Sequence, residues 1–267
     1  MSERSEVAGP RVPPQRGLRR LTFWSVASGL AAIVPVPFLD DHLVRLSRRR
    51  MVAELARAHG IVMGPAELHH LTGTERRTGL GCLIVVLIGA TFKIAVKVLR
   101  RFFRTLLFWL TVKDASDAAS QTFHEGFLIS LGVADLQAVS LLRDPDDPVD
   151  GRVRALRRRV EAVTRELDTR PIERLIRSAF RSSRGVLRRA ARTLAREERQ
   201  RDDERQAEIL ESEVESEEGL GTLISRLGSL LSNERPYLTE LERRFARSAG
   251  AADASVPRAP RSPPGSA

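Results

Sequence analysis

The side chains that could ligate a metal or pass a proton are few: His42, His59, His69, His70 and His124, with a lone Cys82. His69 and His70 are adjacent, so on a helix they diverge by about a hundred degrees, and the set falls short of the four ligands a structural zinc wants. The string Asp144 to Gly151, DPDDPVDG, has a calcium-like density of acids. Pro148 falls where an EF-hand needs a ligand, and no glutamate closes the loop, so it reads as a turn. No phosphate-binding G-x-x-x-x-G-K-[ST], no G-x-G-x-x-G and no G-x-S-x-G elbow occurs. The reading is non-enzymatic, with no catalytic, cofactor or metal residues and no cofactor.

The remaining chemistry is cationic. The 267 residues contain 44 basic side chains and a net charge of +10, which favours anionic partners. Only Lys93, Lys97 and Lys113 are lysine. So uniform a use of arginine points to coding bias, and position must decide which arginines bind anything. Two groups stand out. Lys93, Lys97, Arg100, Arg101 and Arg104 recur at three and four beside Phe92, Val96, Leu99, Phe103 and Leu107, with Trp109 near the end. That is the pattern of a basic amphipathic helix lying in a bilayer interface, where tryptophan also prefers to sit. A core helix with a solvated charged side has the same pattern. The second group, Arg170, Arg174, Arg177, Arg181, Arg184 and Arg188, continues to Arg192 and forms a stripe on a helix opened by Pro171 and Glu173. These are the candidate partner-binding residues. Residues 152–201 carry 17 arginines against six acids, and residues 202–218 nine acids against one arginine. The two blocks could equally attract one another. The stripe lacks interleaved aromatics and any helix-turn-helix pattern, which disfavours nucleic acid beyond nonspecific contact.

The elements that must position these groups read as helices throughout. Residues 1–20, with Pro10, Pro13 and Pro14, form a tail. Leu21 to Leu39 carries no charge, and Ser25 and Gly29, Ala27 and Ala31, and Ser28 and Ala32 are spaced four apart, which permits close helix approach. Pro35 and Pro37 end that helix near Ala32. It lacks a clear small-residue cleavage site before Asp40 and reads as retained rather than as a secretory signal. A helix after Asp40 and Asp41 stops at Gly60, and a short one opened by Pro65 stops near Gly73. The uncharged part of Gly79 to Val112 is too short to span about 20 residues of hydrocarbon core. Extended to Val98, its apolar side chains contribute about −3 to −7 kcal/mol against two lysines at roughly +2.5 to +3.5 each. One transmembrane helix and an interfacial arrangement both fit. Two full spans, using Leu21 to Leu39 as the other, would strand seven arginines from Arg45 to Arg77 on the far side, against the positive-inside rule.

Lys113 and Asp114 read as the end of that run. A helix with Ala115, Ala119, Phe123, Phe127 and Leu131 on one side follows, closed by Gly132, and then an apolar piece from Leu136 to Leu142. The acidic, proline-containing stretch 144–151 is a linker. The expected architecture is therefore all-α: a membrane-associated helical bundle or hairpin over 21–143, a charged long-helix region over 152–249, and disordered termini at 1–20 and 250–267.

The segment AAIVPVPFLDD, the helix ending at His59 and Gly60, the apolar glycine-containing stretch and KDASDAASQTFHEGFLISLG resemble a bacterial domain-of-unknown-function family found beside membrane-associated GTPases, in the style of EcsC-like proteins. The resemblance covers about residues 25–132 and implies membrane association and a GTPase as protein partner. It carries over no catalytic residue. Three functions follow as expectations. The first is a membrane-associated adaptor or scaffold, mostly cytoplasmic and contacting lipid. The second is a soluble helical module that binds a protein through its arginine-rich helix. The third is nonspecific nucleic-acid binding.

Overall fold

A computed structural model describes residues 15–33, 39–73, 95–137, 151–197, 212 and 218–254. Of the linker only Gly151, and of the apolar piece from Leu136 to Leu142 only its first two residues, are described, on helices; residues 74–94, nearly all of the acidic block 202–218 and both distal tails lie outside the described residues. Nine helices occur among the described residues, and no strand: α1 Gln15–Ala31, α2 Leu39–Ala58, α3 Pro65–Thr72, α4 Ala95–Gln137, α5 Gly151–Glu166, α6 Arg170–Ser182, α7 Arg184–Glu197, α8 Glu218–Asn233 and α9 Arg235–Ala254. The termini of the set extend beyond expectation, since α1 begins inside the 1–20 tail and α9 ends inside the 250–267 tail.

The uncharged stretch at the N-terminus has a different role from the one its composition first suggests. Leu21, Val26, Ala27, Leu30 and Ala31 have no exposed surface, and Trp24 is fully enclosed. A helix that is apolar on every side must be covered on every side, and here protein covers it: α2, α4, α7 and α8 all pack on α1. Its hydroxyls are satisfied internally. Thr22 donates to the Leu18 carbonyl at 2.8 Å and Ser25 to Leu21 at 2.7 Å, so burying them leaves no unpaired donor. Among the described residues no helix is long and apolar enough to cross a membrane, so no transmembrane helix of the kind expected for the chain is found there. The apolar part of Gly79 to Val112 before residue 95 lies outside the described residues.

α4 is the axis of the bundle, contacting α1, α2, α5, α6 and α9. Its neighbours are registered along it by specific contacts. Leu21 lies beside Gly126, Ser28 meets Thr122 and Gly29 lies against the Ala115 carbonyl, so α1 runs antiparallel to α4. α2 runs parallel to α4, with Arg48 at Thr122 and Met51 at Gly126. α5 and α6 together descend antiparallel, from Leu156 at Gly132 to Arg177 at Asp117, with Phe180 beside Gly29 at the level of Ala115. α9 returns parallel, with Tyr237 at His124 and Phe245 at Gly132. The helices after the acidic linker thus share one hydrophobic core with those before it.

Two sequence-based helix ends are absent. α4 continues through Lys113 and Asp114, because both project to solvent while Val112 and Ala115 stay buried, so the charges cost the helix nothing. It also continues through Gly132. There the missing side chain admits the Leu156 side chain and the Phe245 ring, and the position serves close packing rather than a helix stop. Conversely, the single arginine-striped helix expected from Pro171 onward is two helices, α6 and α7, divided at Ser183. The local signals at α3 read correctly. Pro65 opens it, the Gly64 N–H donates to the Glu67 carboxylate at 2.7 Å, and Gly73 adopts φ 61° at its end.

The close approach at Gly29 predicts a measurable asymmetry between two glycines. A Cβ on Gly29 would lie 2.5 and 2.7 Å from Phe180 ring atoms and 2.9 Å from the Ala115 carbonyl oxygen. Gly221, exposed within α8, has nothing within 4 Å. Gly29→Ala is expected to destabilise the fold by about 1–3 kcal/mol through overpacking. Gly221→Ala is expected to stabilise it by up to about 1 kcal/mol through helix propensity. Thermal unfolding midpoints moving in the same direction for both variants would contradict the crossing.

Candidate anionic-surface interface

Of the basic amphipathic group, Lys97, Arg100, Arg101, Arg104 and Trp109 lie on α4, and Lys93 falls before the described residues. The backbone places them on one unbroken helix with the core residues from Val112 onward. Their side chains, like all in 95–111, are outside the described set. The 17 residues from Ala95 to Thr111 continue the α4 axis for about 25 Å past the level of Val112. A helix whose C-terminal half is locked into a core by Phe123, Phe127, Leu128 and Ile129 holds its N-terminal half in a fixed direction.

The arginine stripe is mostly outward. Ile172, Ile176, Ala179 and Phe180 of α6, and Leu187, Ala190, Ala191 and Leu194 of α7, face the core. Arg170, Arg174, Arg181, Arg184 and Arg188 are exposed, as is Arg192. Arg177 is half-buried, pairs with Glu173 on its own helix and reaches Asp117 of α4 at 3.6 Å. It therefore fastens α6 to α4 rather than offering a charge to a partner. Because Ser183 interrupts the stripe, these candidates form two short faces instead of one.

Other arginines of the second half are structural. Arg157, almost fully buried, donates to the Leu71 carbonyl at 2.8 Å and to Glu161 at 2.6 Å, and its guanidinium fills the space beside Gly73. It satisfies a carbonyl at the end of α3, where a cation also complements the helix dipole. Arg159 stacks 4.2 Å above the Phe245 ring and donates to the Phe245 carbonyl. Arg244 donates to the Glu166 carbonyl at the end of α5.

Two polar clusters that the sequence reading did not single out sit inside the bundle. In the first, Arg48 reaches Glu125 at 3.4 Å and donates from Nε to Thr122 at 3.1 Å, and Thr122 donates to Ser28 at 2.8 Å. In the second, His124 Nδ1 lies 2.7 Å from the Ser120 carbonyl and Nε2 lies 2.7 Å from the Tyr237 hydroxyl. Since a carbonyl only accepts, Nδ1 bears the proton in the neutral ring, leaving Nε2 to accept from the phenol. The phenol also lies 3.1 Å from the Asp168 carbonyl. Burial lowers the His124 pKa to about 4, against a smaller raising effect of the Ser120 bond. Burial, with Asp168 nearby, pushes the Tyr237 phenol up. Ser116, Ser120 and His124 recur every four residues, and that small-polar row was the available signal. Both clusters join helices, so they position the scaffold, while the outward cationic faces are surfaces a ligand can reach. Among the described residues no group of three or more His, Cys, Asp or Glu could hold a metal ion. No protein-family model matches this chain, and neither a curated protein nor a solved structure does.

Proposed function

We propose that this chain is a non-catalytic adaptor or scaffold that attaches to an anionic membrane through residues 79–112, with most of the protein on the cytoplasmic side. The observation that supports the reading is the continuity of α4. The basic amphipathic sequence from Lys97 to Trp109 is the N-terminal part of the helix that forms the core axis. Contact of that part with lipid therefore fixes the orientation of the whole bundle. Apolar residues before it supply insertion, and each Lys or Arg near an anionic leaflet adds about 1 kcal/mol. The depth of insertion is a separate matter from attachment.

Sedimentation with vesicles tests the proposal. The full chain is expected to pellet with phosphatidylcholine vesicles that contain phosphatidylglycerol, and less with phosphatidylcholine alone. Val86→Asp with Ile88→Asp is expected to release it, since a carboxylate at the centre of an inserted segment costs roughly 2.5–3.5 kcal/mol. Protein left in the supernatant with both vesicle types would overturn the reading. Pelleting of the double variant at parental levels would move the attachment elsewhere in the chain.

A further inference from the structure

The registers along α4 bring the second cationic group to the end of the bundle from which the first departs. α6 descends antiparallel to α4, and its Phe180 lies with Gly29 at the level of Ala115. Arg181 and the first residue of α7, Arg184, therefore lie at or just beyond the level of Val112. Lys113, one residue further along α4, is exposed at the same end. The outward face of α7 continues from Arg184 through Arg188 and Arg192, each one turn from the last. Asp117 is engaged by Arg177 at 3.6 Å, Asp114 and Arg181 each have interactions of their own, and α8, which opens at Glu218, packs its Gly219 on Val186 of α7.

We infer that this end of the bundle, through Lys113, Arg181 and Arg184, is a second lipid-headgroup contact that sets the bundle down on the bilayer surface. The inference rests on the membrane attachment proposed above and adds to it the seat of the folded core. Spacing along α4 selects a bilayer over an acidic protein as occupant. Trp109, of a type that settles at headgroup level, is one turn before Lys113, about 6 Å along the axis. A surface met at the level of residue 109 thus lies, along the axis, within a Debye length of the levels of all three cations, about 8 Å at physiological salt. Two of the three are arginines, whose planar guanidinium matches phosphate oxygens in bidentate fashion. The opposite end of the bundle, near Gly132, is also basic, with exposed Arg57, Arg158 and Arg247, and serves as an internal control of equal charge.

Vesicle partitioning of the full chain separates the cases. With phosphatidylcholine vesicles containing phosphatidylglycerol, the triple variant Lys113→Gln, Arg181→Gln, Arg184→Gln is expected to bind about a hundredfold more weakly, at about fivefold per cation. The control Arg57→Gln, Arg158→Gln, Arg247→Gln is expected to stay within about threefold of the parent on the same scale. Parental binding by the first variant, with the Val86→Asp and Ile88→Asp variant still released, would overturn this inference and leave the attachment through 79–112 standing. Equal weakening by both triple variants would overturn it in favour of undirected charge attraction. A parent that ignores anionic vesicles altogether would remove the underlying attachment. Unchanged vesicle binding accompanied by lost binding to duplex DNA would assign the three cations to nucleic acid instead.

Discussion

Arg48→Met is expected to destabilise the fold by about 3–5 kcal/mol, the cost of leaving a buried charge without its partner. The side chains of Arg48 and Glu125 are only 12% and 8% exposed. The guanidinium is held by two partners on α4, Glu125 at 3.4 Å and Thr122 at 3.1 Å. Thr122 in turn donates a hydrogen bond to Ser28 of α1, so one side chain of α2 ties three helices at a single level. Methionine fills the aliphatic volume and removes the charge, leaving Glu125, among the described residues, with the Gln121 amide at 3.0 Å. The double variant Arg48→Met, Glu125→Leu is expected to recover most of the loss, because replacing both members of a buried pair by apolar groups is often neutral or better. Urea unfolding followed by far-ultraviolet circular dichroism measures both. A single variant within about 1 kcal/mol of the parent would show the pair to be effectively solvated.

That cluster also explains what the sequence could and could not convey. Helix ends set by local chemistry were legible: Pro65 and Gly73 bracket α3, and Gly60, at φ 71°, follows α2. The small residues of α1 correctly implied close approach, realised at Gly29. The environment of α1 was not legible, because burial in lipid and burial in protein impose the same demand on a helix, apolar on every side. Lys113 and Asp114 looked like a stop because a charged pair after an apolar run usually is one. Packing of Val112 and Ala115 on the core overrides that signal, and the helix goes on. Gly132 looked like a helix end for the same kind of reason, although the partners that need its missing side chain, Leu156 and Phe245, lie far along the chain.

The candidate site divides along similar lines. The spacing of Arg170, Arg174, Arg181, Arg184 and Arg188 was enough to put them on outward faces, since the intervening apolar residues demand a core on the other side. The duties of Arg157, Arg159 and Arg244 depend on carbonyls of Leu71, Phe245 and Glu166, which belong to other helices. Nothing in a local window distinguishes Arg157, buried against the end of α3, from its neighbour Arg158, exposed to water. The Ser28, Arg48 and Thr122 cluster joins positions as much as 94 residues apart. Such contacts exist only once the registers along α4 are known.

Acidification from neutral pH is expected to weaken the fold by about 3 kcal/mol through His124 alone, with the loss spread between about pH 6.5 and pH 4. The ring is fully buried, and that burial lowers its pKa to about 4 from the ordinary 6.5. Between those values the unfolded chain binds a proton that the folded chain does not, so stability falls as pH falls. Above about pH 6.5 both states are neutral and the contribution is complete. Below about pH 4 both are protonated and this group adds no further slope. Geometry gives the same sign. The neutral ring donates to Ser120 and accepts from Tyr237, whereas a protonated Nε2 must donate to the phenol and turn its hydroxyl toward the Asp168 carbonyl, 3.1 Å away. That rearrangement supplies a partner for every proton but leaves the cation in a space lined by Phe123 and Tyr237, where desolvation dominates. His124→Gln should therefore lose stability at neutral pH yet flatten the curve between pH 6.5 and 4. Urea unfolding across that window measures both slopes. A parent with constant stability there, or a variant with the parental slope, would show that His124 is not the group that titrates.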